Sequence, residues 1–67
     1  MAPQEFQIFY KGNEYEFVVF QLGLEWVCDM YFYPYMSMSN SYKEVISEMY
    51  NLAKRAHSEL YQEFAIA

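Results

Sequence analysis

The chain offers one amphipathic helix to cover three β-rich runs that are apolar or aromatic on both faces. At roughly 100° per residue, Tyr42, Val45, Ile46, Met49, Leu52, Ala53, Ala56, Leu60 and Phe64 fall in one stripe, and polar residues such as Lys43, Glu48, Lys54, Arg55 and Gln62 fall opposite. One such stripe can cover one face of a small sheet. A sheet that is apolar on both faces therefore keeps a face for which this chain supplies no second helix.

The strands read as follows. Residues 5–11 and 14–22 are rich in Phe, Tyr, Val and Ile and flank Gly12-Asn13, a pair that signals a tight hairpin. Pairing outward from that turn sets Lys11 opposite Glu14, Tyr10 opposite Tyr15, Ile8 opposite Phe17 and Phe6 opposite Val19, so these apolar partners share one face. A turn near Leu22-Gly23-Leu24-Glu25 leads into residues 26–33, which Pro34 stops. Trp26, Cys28, Met30 and Phe32 then join the inner face; the opposite parity would bury Asp29 without a partner.

Residues 36–40, Met-Ser-Met-Ser-Asn, read as a flexible connector, and Ser41-Tyr-Lys-Glu44 has the form of a capping box opening a helix over about 42–64. The expected architecture is α+β. It is a single domain over 1–67 with a three-stranded antiparallel β-meander (order 1-2-3, strands about 5–11, 14–22 and 26–33) and one C-terminal helix packed on one face (βββα), both outer strands remaining open edges.

With 67 residues, a domain buries only roughly 60% of the surface its unfolded chain exposes. A lone cysteine, Cys28, excludes an internal disulfide, and one His with one Cys excludes the common structural zinc sites. The formal charge of −5 is uneven: residues 1–35 set Glu5, Glu14, Glu16, Glu25 and Asp29 against Lys11 alone, whereas residues 36–67 set four carboxylates against Lys43, Lys54 and Arg55. This sign repels phosphate backbones and attracts basic protein surfaces, so direct duplex DNA binding is not expected. No apolar run is long enough to span a membrane, and Met1-Ala2-Pro3-Gln4-Glu5 lacks the basic and apolar regions of a signal peptide. The expectation is a soluble cytoplasmic protein.

Catalytic patterns are wanting. His57 and Ser58 are helix neighbours pointing about 100° apart, and His57 reads as a residue at the margin of the apolar stripe. Glu44/Glu48 and Glu59/Glu63 share helix faces at i,i+4 spacing but have nothing converging on them, and read as a solvated face. Cys28 faces the core as a packed, inert thiol. No nucleotide-binding or metal-binding motif occurs, so neither enzyme activity nor a cofactor or metal is expected.

The outer sheet face carries Phe9, Val18, Phe20, Val27, Tyr31 and Tyr33, with Tyr35 alongside, interleaved with Glu14, Glu16 and Asp29. Tyrosine-rich apolar patches with acidic neighbours suit protein interfaces. Three other uses compete: the 34–40 loop, with Met36 and Met38, folds back over the patch; the face is buried in a homodimeric structural or accessory subunit; or the helix-backed sheet reads nucleic acid, which the single Lys11 on that face argues against.

Short, acidic, aromatic-rich and free of catalytic motifs, the chain resembles in size and charge the small inhibitory proteins of phages and mobile elements, notably anti-CRISPR proteins. That resemblance implies a non-enzymatic inhibitor, acting in the host cytoplasm, that blocks a basic surface of a larger protein or ribonucleoprotein handling nucleic acid. The expected partner-binding residues, read from the strand pattern, are Phe9, Glu14, Glu16, Phe20, Asp29, Tyr31, Tyr33 and Tyr35.

Overall fold

A tight hairpin opens the fold, and its turn sets which residues face which way. In the computed structural model, which describes residues 2–66 and their side chains as far as Leu60, strands β1 (Gln4–Tyr10) and β2 (Asn13–Leu22) are joined by Lys11 and Gly12. Both turn residues have positive φ, 48° and 82°, as a type I′ connection requires. The turn is therefore one residue earlier than the Gly12-Asn13 expected, and the register moves by two: Ile8 pairs with Tyr15, Phe6 with Phe17 and Tyr10 with Asn13. A shift of two preserves parity, so every strand residue keeps its expected face.

Strand β3 (Glu25–Met30) follows a two-residue turn and pairs Met30, Cys28 and Trp26 with Phe17, Val19 and Gln21. It ends three residues before the expected stop. Tyr31 and Phe32 form a turn, and Phe32 adopts a φ of 70°, which breaks the alternation that would have placed it in the core. The chain returns as β4 (Met36–Ser39), antiparallel to β3, where a connector was expected. The sheet is thus four-stranded in the order β1-β2-β3-β4, and the open edges are β1 and β4, with β3 now interior.

Helix α1 (Tyr42–Ile66) covers the inner face. Its N-terminus is capped by Ser41, whose Oγ accepts the Glu44 N–H at 3.3 Å. The Glu44 carboxylate does not reach back to the Ser41 N–H as the capping box would have it. Instead Ser39 Oγ accepts that N–H at 3.1 Å and donates to Glu44 Oε2 at 3.1 Å, tying the end of β4 to the first helical turn. Val45, Met49, Leu52, Ala53 and Ala56 then pack on Tyr15, Phe17, Val19, Cys28 and Met30 to form the core. The side chains of Gln62, Glu63 and Phe64 lie outside the described residues.

His57 completes that stripe, one turn beyond Ala53, and is not at its margin: it is 6% exposed. The Tyr15 hydroxyl lies 2.9 Å and the Asn13 amide nitrogen 3.3 Å from its Nδ1, both within hydrogen-bond distance. The Tyr10 ring meets the imidazole edge-on at 5.1 Å. A buried imidazole held this way contributes about 1 kcal/mol per hydrogen bond and would cost more if left unpaired.

Ala53 and Ala56, with 0% and 1% exposure, let the helix axis approach the sheet. Ala53→Leu is expected to lower stability by about 1–3 kcal/mol through overpacking. Lys54→Leu, one position on and exposed, should change it by no more than about 0.5 kcal/mol. Urea denaturation of both variants checks the pair.

Candidate functional site

The outer face is ordered in cross-strand rows: Leu22–Glu25, then Phe20–Val27–Met38, then Glu5–Val18–Asp29–Met36, then Gln7–Glu16, then Phe9–Glu14 at the hairpin end. Tyr31 extends the fourth row, its N–H donating to the Glu16 carbonyl at 3.0 Å. Phe20, Val27 and Met38 make one apolar row; Glu5, Asp29, Glu16 and Glu14 lie in the rows on its hairpin side, among Val18, Met36 and Phe9, and Glu25 lies in the row on its other side. Val27 is only 1% exposed although it lies on the outer face, between Phe20 and Met38 in its row. Met36 and Met38 do reach the outer face, but as side chains of an added strand; the loop does not fold over the patch.

The acidic end has its own geometry. Tyr31 donates a long hydrogen bond to Glu5 Oε1 at 3.4 Å. Desolvation first, then the Glu5 charge and that bond, then Glu16 and Asp29, push its phenol above the ordinary range. Two clefts open beside Tyr31. One, of about 270 Å³, is lined by Glu14, Tyr15, Glu16, Tyr31, Phe32 and Tyr33. The other, of about 70 Å³, is lined by Glu5, Phe6, Gln7, Glu16, Phe17 and Tyr31. Cations are elsewhere: Lys11 is in the hairpin turn with Nζ 5.5 Å from the Tyr10 ring, and Lys43, Lys54 and Arg55 are on the helix.

Of the expected site residues, Glu14, Glu16, Phe20, Asp29 and Tyr31 lie together on this face. Phe9 lies on it too, 69% exposed, but three rows from Phe20, about 20 Å away at strand spacing. Tyr33 and Tyr35 do not belong to it. After the left-handed turn at Phe32 both pack against the core from the helix side. Their rings stack at 6.5 Å, Tyr33 lies 6.0 Å from Tyr15, and the Arg55 guanidinium sits 4.8 Å over Tyr35. The hydrogen bond to Glu59 is the main cause that pushes the Tyr35 phenol up.

Glu5 and Phe32 were not among the expected site residues, and Met36 and Met38, expected in a connector over the patch, join the outer face on β4. Phe32 had been assigned to the core and is 94% exposed. No convergent group of metal-ligating side chains occurs among the described residues, and Cys28 is buried, its thiol raised chiefly by desolvation. No helix among them is long and apolar enough to cross a membrane. No protein-family model, curated protein or solved structure matches the chain.

A bulky residue at positive φ is strained by about 1–2 kcal/mol, and nothing in the core rewards Phe32 for it. Phe32→Gly is therefore expected to fold with stability unchanged or raised by up to about 1 kcal/mol, the relieved strain exceeding the added freedom of the unfolded chain. A thermal or urea melt checks this; a loss of 2 kcal/mol or more (roughly a 30-fold change in the folded ratio) would mean that the ring supports the fold.

Proposed function

We propose that the protein is a non-enzymatic binding protein whose outer sheet face blocks a basic surface of a larger protein or ribonucleoprotein that handles nucleic acid, in the manner of anti-CRISPR inhibitors. One observation carries the reading: an apolar half, Phe20, Val27, Met36 and Met38, adjoins an acidic half, Glu5, Glu14, Glu16 and Asp29, that faces no cation of its own among the described residues. The apolar half supplies contact area. The acidic half supplies charge-assisted hydrogen bonds to Lys or Arg and accelerates encounter.

The same charge disfavours nucleic acid as the ligand of this face, because such a ligand brings phosphates to carboxylates. The expected outcome in affinity capture from a host lysate is a basic nucleic-acid-binding protein that wild type retains and a Phe9→Ala/Met38→Ala double variant loses. Added wild-type protein should also reduce that partner's nucleic-acid binding. Equal capture by the double variant, with its melt unchanged, would overturn the assignment of the face.

A second reading is favoured by β4. Its Met-Ser-Met-Ser edge carries no charge and no proline, and its backbone is open to pairing. A second copy joined there would continue the sheet and place Met36 and Met38 at the seam. Sedimentation at micromolar concentration decides between the two: a tight dimer supports pairing of copies, and a clean monomer removes it.

A further inference from the structure

The larger cleft at the acidic end is specific enough in its lining to name what enters it. We infer that the cleft between Glu14–Glu16 on β2 and the 31–33 turn receives an arginine side chain of the protein partner. This inference rests on the reading of the outer face given above and deepens it.

Size comes first. A volume of about 270 Å³ is below the roughly 300 Å³ at which pockets for drug-sized ligands begin. It suits one long side chain. Its lining comes from two acidic residues, Glu14 and Glu16, and four aromatic ones, of which Tyr31 and Phe32 are exposed while Tyr15 and Tyr33 pack toward the core, with no aliphatic residue and no cation. Glu14 and Glu16 project from the same side of one strand, and Glu5 and Asp29 lie in the rows beyond on the same face. Neither Glu14 nor Glu16 forms an ion pair among the described residues. The site is lined by acidic and aromatic residues and open to solvent.

Arginine matches that lining better than lysine does. Its planar guanidinium stacks on an aromatic face while its fork of N–H donors meets a carboxylate at the edge, whereas an ammonium is a compact, strongly hydrated charge. The protein already uses this combination on the other side of the same loop. There Arg55 lies 4.8 Å over the Tyr35 ring with its Nε 3.9 Å from Glu59. The cleft repeats the aromatic and acidic parts of that arrangement and lacks the guanidinium. Phe32, 94% exposed, lines the cleft with its ring 6.4 Å from that of Tyr31 and packs on no part of the core.

Titrating the isotope-labelled full chain with acetylated, amidated tri-arginine and tri-lysine peptides, followed by amide chemical shifts, tests this. Tri-arginine is expected to move the amides of residues 14–16 and 31–33 with a dissociation constant of about 1 mM, and tri-lysine to bind at least about threefold more weakly. Glu16→Gln and Phe32→Gly should each weaken tri-arginine binding by about fivefold, while Glu25→Gln, an acid at the far end of the face, should leave it unchanged. Equal binding of the two peptides, equal loss in Glu25→Gln, full binding by Phe32→Gly, or no shift at about 10 mM peptide would each overturn the inference. If the peptides fail while Phe9→Ala/Met38→Ala still loses the captured partner, the cleft is wrong and the face stands. If capture survives that double variant, the face is wrong whatever the peptides do.

Discussion

Phe17 is where the sheet and the helix become one structure. It lies mid-strand in β2, pairs with Phe6 on one side and Met30 on the other, and has no exposed surface beneath the helix. Burying a side chain of that size contributes about 1.5–3 kcal/mol, a large fraction of what so small a domain has in total. The helix can cover only the face on which Phe17 lies. Everything on the other face is consequently available, and its composition is free of the requirement to build a core. The outer rows answer to that freedom differently at their two ends. One end forms a small second cluster around Val27, and the other collects acids that a folding core would reject.

The separation of those two ends alters how the face would bind. Acids ringing an apolar centre would act as a polar rim around one contact. Here most of the acids, Glu5, Asp29, Glu16 and Glu14, lie on one side of the Phe20–Val27–Met38 row and Glu25 alone on the other, so the face would offer two adjoining contacts with different chemistry. Apolar contact is short-ranged and insensitive to salt, whereas the carboxylates attract a basic surface over a distance limited by screening to about 8 Å at physiological ionic strength. A partner that met both would have to do so in one orientation, which would favour specificity over raw affinity.

Much of this was legible beforehand, and the failures share a cause. Face assignment survived a misplaced turn because parity, and not the exact partner, decides which side a residue takes: Ile8 was expected opposite Phe17 and pairs with Tyr15, yet all three remain inside. The helix was legible because Val45, Met49, Leu52, Ala53 and Ala56 repeat with its own period. What could not be read lies after Met30. The run Tyr31-Phe32-Tyr33 has high strand propensity, and no local signal marks a left-handed residue at a phenylalanine, so alternation was carried three residues too far. That single error placed Phe32 inside and Tyr33 outside, the reverse of what the structure shows. β4 was missed because Met-Ser-Met-Ser has little intrinsic preference for a strand; it pairs because β3 offers it an edge and Ser39 is tied to the helix start. His57 was underestimated because its partners, Asn13 and Tyr15, are more than 40 residues away in sequence.

A chain selected only to fold would place glycine or asparagine at a position with a φ of 70°, since either adopts it at lower cost. Phenylalanine there leaves strain in a domain with little stability to spare and puts a large ring into water. The inner half of the same loop is, by contrast, firmly held, with Tyr33 against Tyr15 and Tyr35 beneath Arg55. Rigid anchoring on one side fixes the direction in which the other side points. The position of the backbone at Tyr31 and Phe32 is thus set by its held neighbours, which lowers the ordering cost of any contact made there. The strain and the anchoring make sense together if the ring is used outside the fold.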